Sequence, residues 1–306
     1  MKNPAWFLIA MVTLLCAGCS SKSDTMHQPK PIVKFGLIAD IQYGDCEANG
    51  NRFYRESLDK LSECVADLNQ ENVQFTVNLG DVVDRSPSDF EPVLSRLSQL
   101  NSKVYSTTGN HDYGGIKNNE ELFQKLGMPS EYYSFSKGNW RFIMLNTNEV
   151  SSYSNVSGTW KEQELTSMRE QIKKAGKKNG QPWNGGISSR QMNWLRDELI
   201  SAQGRKMHVL VFAHHPLYPD MGLTALNSED ILNLLSEYPC VKGVISGHHH
   251  TGAFGTYKNI PCITTEGMVE TKEANAYGIV SIFEDKITLT GKGRTKSYTL
   301  PFNHVE

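Results

Sequence analysis

Five short stretches of the 306-residue chain concentrate side chains that can hold cations: ADIQ at 39–42, GDVVDR at 80–85, GNHD at 109–112, AHHP at 213–216 and GHHH at 247–250. Together they offer Asp40, Gln42, Asp81, Asn110, His111, His214, His248 and His250. Carboxylates, amides and imidazoles gathered in a protein interior are costly unless they are paired or bound to metal. Mixed oxygen and imidazole donors suit Mn, Fe or Zn better than Ca or Mg, and the lack of cysteine among them argues against a structural zinc site. Any one of these aspartates alone reads more readily as a helix cap or an ion-pair partner. The five stretches together read as a metal centre.

The elements that must bring these stretches together are legible as short apolar runs rich in β-branched residues, at 32–39, 73–79, 103–106, 141–145, 207–212, 241–245, 260–264, 279–283 and 287–290. Each is strand-length and bounded by polar or turn residues. Helical patterns alternate with them at 53–69, 89–100, 119–126, 162–178, 189–202 and 227–237, with Ser188 or Ser189 and Asn227 or Ser228 as expected N-caps. That alternation predicts an α/β fold, layered with helices outside. Each candidate group sits just past a predicted strand, and ligands of open α/β sheets gather beyond the carboxyl ends of strands. Residues 147–188 break the rhythm with a charged helix and the stretch QPWNGG, an expected cap insertion over the pocket, while GKGR at 291–294 reads as a surface hairpin exit.

With 31 basic and 33 acidic residues the formal charge is −2, so no global basic field would draw nucleic acid. Residues 1–19, MKNPAWFLIAMVTLLCAGC, read as a secretory signal whose apolar run is shorter than the about 20 residues that span a bilayer. The end of that segment, LCAGCSS, resembles a bacterial lipobox, with Cys16 where an aliphatic residue is usual. That resemblance implies lipidation of Cys19 and an exported protein of the cell envelope, anchored through its N-terminus to the periplasmic or surface face of a membrane. Residues 20–31 read as a flexible polar tether, leaving 32–306 as the folded domain. Of the remaining cysteines, Cys46, Cys64, Cys240 and Cys262, a Cys240–Cys262 disulfide and free buried thiols are both open.

Taken in order, D-x-Q, GD-x-x-D, GNHD, the histidine of AHHP and GH-x-H resemble the calcineurin-like metallophosphoesterase superfamily over nearly the whole domain. More narrowly, IADIQY, LGD, GNH, NGG with QMNWL, LYPD, SGHHH, TEGMVET and DKITLTGKGR are similar to the manganese-dependent ADP-ribose/CDP-alcohol diphosphatases, with a weak match over 113–182. The resemblance implies a four-layered αββα sandwich with two facing mixed β-sheets. It also implies two divalent metal ions, Mn foremost, with Mg, Fe or Zn as the other choices. One ion would be held by Asp40, Gln42, Asp81 and His250 and the other by Asp81, Asn110, His214 and His248, with His111 as the catalytic residue beside the phosphate, acting as acid or transition-state stabiliser. Tyr218, Asn184, Gly185, Gly186 and Glu266 match substrate-pocket positions of the family. Many superfamily members carry histidine where Gln42 stands, and an amide oxygen, a harder donor than imidazole, tilts that position toward Mn or Mg.

The implied reaction is hydrolysis of the diphosphate of a small nucleotide-linked substrate, such as ADP-ribose or CDP-choline, to two phosphomonoesters by a hydroxide activated between the cations. An exported phosphodiesterase or phosphomonoesterase of the same fold is the competing enzyme, and a non-catalytic binding lipoprotein is the competing class. Their products, or the lack of any, separate them.

Overall fold

In a computed structural model of the protein, Met1 and residues 29–302 are described; the rest of the expected signal peptide, Cys19 and the tether as far as residue 28 lie outside them. The chain order is β1 (Val33–Ile38), α1 (Ser57–Gln70), β2 (Phe75–Asn78), α2 (Phe90–Leu97), β3 (Lys103–Ser106), α3 (Asn119–Lys125), β4 (Tyr133–Lys137) and β5 (Trp140–Met144). It continues through α4 (Trp160–Lys174), α5 (Ser189–Gly204), β6 (His208–Ala213), α6 (Ser228–Ser236), β7 (Val241–Ser246), β8 (Thr251–Tyr257), β9 (Ile260–Glu266), β10 (Ala276–Ile282), β11 (Lys286–Gly293) and β12 (Tyr298–Pro301).

Two six-stranded mixed sheets result, ordered β12-β11-β10-β1-β2-β3 and β4-β5-β6-β7-β9-β8. The strands that precede the candidate ligands are parallel within each sheet: β1-β2-β3 in the first and β6-β7 in the second. Side-chain alternation assigns the layers. In β6, Leu210 and Phe212 join the core that also contains Phe35 and Phe75 of the first sheet, whereas Val209, Val211 and Ala213 join Leu195, Leu199, Ile231 and Leu235 of α5 and α6. Phe35 stacks on Phe75 at 4.8 Å and meets both Phe142 and Phe212 edge-on at 5.9 Å, so aromatic rings bridge the two sheets. Leu61, Cys64 and Leu68 of α1 close the outer side of the first sheet. Each fully buried Leu or Phe is worth about 1.5–3 kcal/mol. The αββα order expected from the sequence is the order found.

Several details differ from expectation. Strands β4, β8 and β12 had no apolar run to mark them, and each lies at a sheet edge where side chains face water. GKGR closes β11 where the chain turns into β12, the expected hairpin exit, but it is still paired on its other side: Gly293 lies opposite Ala276, and Arg294 donates to the Gly267 oxygen at 2.6 Å. Ser188 caps α5 by accepting from the Gln191 N–H at 3.1 Å, but Asn227 spends its amide on Ile187 N and O and leaves α6 without a side-chain cap. All four described cysteines are free. The register explains why Cys240 and Cys262 do not pair. Val244 lies opposite Cys262, so Cys240 begins four residues earlier, about 13 Å along the strand.

Within 147–188, α4 packs on a small apolar cluster of its own, Val150, Val156, Leu165 and Ile172 with Leu226. Among the described residues no helix is long and apolar enough to cross a membrane.

Candidate metal centre

Five strand ends from both sheets converge. Asp40 and Gln42 follow β1, Asp81 follows β2, Asn110 and His111 follow β3, His214 follows β6, and His248 and His250 follow β7. The loops are fastened to one another by their backbones: Asp40 N donates to Gly80 O at 3.1 Å and Gln42 N to Asp81 O at 2.7 Å. His248 N donates to both Asp40 carboxylate oxygens at 3.0 and 3.1 Å, and His111 N donates to Asp81 Oδ1 at 2.8 Å. Asp40, Gln42, Asp81 and His248 all have positive φ, at 52°, 45°, 51° and 67°. For residues with a side chain this left-handed backbone costs of order 1–3 kcal/mol each, and such strain persists where surrounding structure enforces it at functional sites.

The side chains face each other closely. Donor atoms of Asp40, Asp81 and His250 lie within 4.8 Å of one another, as do those of His214, His215 and His248. His214 Nε2 lies 3.1 Å from Asn110 Oδ1, 3.2 Å from His248 Nδ1 and 3.5 Å from Asp81 Oδ2. Loops this tight need bare backbone at two places. A Cβ on Gly109 would stand 2.1 Å from Asp81 Oδ1, and one on Gly247 would stand 2.8 Å from Asp40 Oδ2.

The donor set fits divalent cations. Gln42 Nε2 donates to Asp84 Oδ1 at 2.9 Å and lies 3.1 Å from His111 Nε2, yet its Oε1 is buried with no partner. A buried acceptor left bare costs its desolvation, and a cation removes that cost. Burial and the neighbouring imidazoles hold His248 well below its ordinary value, so it is neutral and able to donate a lone pair. Burial opposes charge on His250 as well, but Asp40 and Glu270 outweigh it and carry His250 to about 9; a metal ion would take the place of that proton. His214 is oriented by Nδ1 against Leu79 O at 2.8 Å and His250 by Nδ1 against Glu270 at 3.0 Å, the outer contacts that direct the other ring nitrogen inward.

His111 has its own fixture. Its Nδ1 donates to Asp84 O at 2.7 Å and lies 3.2 Å from the Asp84 carboxylate, which leaves Nε2 toward the cluster. Burial opposes its charge, while Asp81 and Asp84 raise its pKa. Asp84 is itself opposed by burial but drawn down to about 2 by His111, Arg85 and Gln42. Asp112 braces the turn: Oδ1 accepts from Val82 N and Val83 N at 2.7 and 3.2 Å, and Oδ2 accepts from Gly109 N at 2.8 Å.

A cavity of about 580 Å³ opens over Asp81, Asn110, His111, His248 and His250. Of the expected substrate residues, Asn184 reaches the cluster, with Oδ1 3.2 Å from His248 Nε2. Gly185 and Gly186 instead pack on Thr147 O and bridge to Val150, Tyr218 packs on Gly255 and Tyr257, and Glu266 is buried with Oε2 accepting from Lys296 N; none of these four lines the cavity. Among the lining residues, Leu223 and Thr251 escaped the sequence reading, as did the two charged ones, Arg52 and Glu270. Arg52 sits in an irregular loop that no strand end marks, held there by backbone bridges to Asn49 and Glu270. Glu270 had a signal, an acid four residues beyond the end of β9, but only the fold shows that it faces His250.

The model of the calcineurin-like phosphoesterase family matches residues 33–252. The chain belongs to that family. As a calcineurin-like phosphoesterase it is a metal-dependent phosphohydrolase, and its solved and curated relatives narrow the comparison. It is 29% identical to a Danio rerio protein named manganese-dependent ADP-ribose/CDP-alcohol diphosphatase, over 89% of this chain and 99% of that one. The mouse protein of the same name is 28% identical over 93% of this chain and 97% of its own. A crystal structure of a dimetal phosphatase from Danio rerio superposes with a TM-score of 0.82 at 28% identity, covering 90% of this chain and all of that one. A purple acid phosphatase from yellow lupin, at 13% identity and a TM-score of 0.55, covering 89% of this chain and 54% of that one, shares the fold alone.

Proposed function

We propose that the protein is a dinuclear diphosphatase that hydrolyses nucleotide-linked diphosphates of the ADP-ribose and CDP-alcohol type to two phosphomonoesters. The observation that carries this reading is the end-to-end match to relatives of that name, 99% of the Danio rerio chain. In this reading Asp40, Gln42, Asp81 and His250 hold one cation and Asp81, Asn110, His214 and His248 the other, with manganese, named in the relatives, as the metal. Bound cations supply Lewis acidity and lower the pKa of water, which is the chemistry the reaction needs. The bare Gln42 oxygen supports this ligand set.

The chain's own residues do the rest. Arg52 and Asn110 bind the diphosphate oxygens at the cavity wall. His111, fixed by Asp84 through Nδ1, lines the cavity and serves the leaving phosphate oxygen as acid or charge stabiliser. Trp183 and Leu223 form the wall against which the nucleotide lies. Offering ADP-ribose, CDP-choline, AMP and a phosphodiester side by side and resolving the products tests the reading. AMP with ribose 5-phosphate, and CMP with phosphocholine, are the expected pairs; hydrolysis of only the monoester or the diester overturns it.

From the lipobox-like LCAGCSS we further propose that the enzyme lies outside the cytoplasm, held by a lipid on Cys19. Cys19→Ala then moves it from the membrane fraction to the soluble one, and an unprocessed cytoplasmic protein contradicts the assignment.

A further inference from the structure

Beside the metal cavity lies a larger one of about 890 Å³, walled by Arg169 and Lys173 of α4 and by Lys177 and Lys178 just beyond it. No acidic residue lines it. Among the described residues Lys177 pairs with Glu229 at 2.5 Å, while Arg169, Lys173 and Lys178 have no ionic partner, and Arg169 Nε is buried without an acceptor. Trp183 and Leu223 line both cavities, so the two share a wall. The Trp183 side chain is 45% exposed, while its backbone oxygen lies 3.1 Å from His215 Nε2 and so ties that wall to the histidine cluster. An ordinary solvated lysine face accounts for Lys173 and Lys178 singly. It does not account for a concave wall that is shared with the metal cavity, lined by four cationic side chains and an exposed indole, and free of acidic residues.

We propose that this trough is an anion subsite contiguous with the metal centre, selecting nucleotide-linked diphosphates that carry a further phosphate away from the scissile bond. The inference rests on the diphosphatase reading above for its substrate class. Trp183 stands where a base or sugar ring would lie between the two phosphate sites. Arg169 supplies a planar fork matched to phosphate oxygens, and Lys173 and Lys178 supply point charges around it.

The test is calorimetric binding of AMP and of adenosine 2′,5′-bisphosphate, which differ by one phosphate, to the purified full-length protein and to the Lys173→Glu/Lys178→Glu variant. Both lysines are exposed, so the substitution does not disturb a core, and the ratio of the two affinities cancels any general loss of binding. The wild type is expected to favour the bisphosphate by about tenfold or more, as charge-assisted contacts to one phosphate allow, and the variant by under about threefold. Equal binding by the wild type, or an advantage that survives charge reversal, overturns the subsite. Vesicles containing phosphatidylglycerol form a second arm: release of the variant from vesicles, with the bisphosphate advantage intact, assigns the lysines to a membrane and also overturns it. Cleavage of ADP-ribose by the same wild-type sample is scored separately. A bisphosphate advantage that falls on charge reversal, in a protein that does not cleave ADP-ribose, supports the anion subsite and sinks the diphosphatase reading.

Discussion

Asp84 Oδ1 accepts a hydrogen bond from Gln42 Nε2 at 2.9 Å, and that contact decides which end of the amide faces the metal-type cluster. Because the nitrogen is taken by Asp84, the oxygen is the end left buried without a partner. Gln42→Leu should remove one bound metal equivalent per chain, read by elemental analysis after dialysis. Gln42→His should shift the metal that best restores activity from Mn toward Zn, since imidazole is the softer donor. Unchanged metal content in the first variant and unchanged metal preference in the second would mean that Gln42 is no ligand.

Asp84 also holds His111, so a proton donor and a candidate ligand depend on one carboxylate. His111→Ala should lower kcat by about 10²–10⁴, the usual worth of positioned acid catalysis, with metal content preserved. Turnover within a few-fold of wild type would remove His111 from the mechanism.

Lys60 on α1 shows how far the centre's support extends. Its Nζ donates to the backbone oxygens of Met268, Glu270 and Thr271, the last two at 3.2 and 2.8 Å, fastening the loop whose Glu270 orients His250. Lys60→Met leaves those oxygens without a donor and should cost about 2 kcal/mol of stability in urea denaturation. Because outer contacts tune ligand affinity, metal binding should weaken by about 10-fold or more. Stability lost with metal affinity unchanged would confine Lys60 to the fold.

A pH effect free of the metal centre comes from His208, which is flanked by Trp140 and Phe302. Burial, and then the charge of Lys242, lower its pKa below the ordinary 6.5. The unfolded chain therefore takes up a proton before the folded one does. The resulting stability is fully present above pH 6.5 and is lost as the pH falls through the lower, folded value. His208→Phe should flatten that part of the slope when urea midpoints are compared between neutral and mildly acidic buffer. An identical slope in the variant would assign the pH dependence to other groups.

How much of this was legible in the sequence depended on whether a residue's role is local. The interior strands and all six helices announced themselves because Phe35, Val77, Leu210 and their neighbours alternate or recur with the period of their element. Strands β4, β8 and β12 sit at sheet edges, where TGAFGTY carries glycines and exposed positions in place of an apolar run. The strand-end groups were legible for the same local reason: Asp40, Asp81, Asn110, His214 and His248 each follow a readable strand. Arg52 and Glu270 were not, because what brings them to the cavity is a bridge between two irregular loops, Arg52 to Glu270, which leaves no period in the sequence. Tyr218 and Glu266 illustrate the converse, since matching a family stretch did not say whether a side chain turns into the cavity or packs behind it.

One titration tests the dinuclear assignment most directly. Metal-stripped enzyme is supplied with Mn in steps while AMP release from ADP-ribose is followed, alongside an Asp81→Ala variant that lacks the carboxylate shared by both proposed sites. Activity that returns in the wild type, saturates near two equivalents per chain and fails to return in the variant is the predicted result. ADP-ribose hydrolysis that persists without metal, or that returns equally well without Asp81, would contradict it.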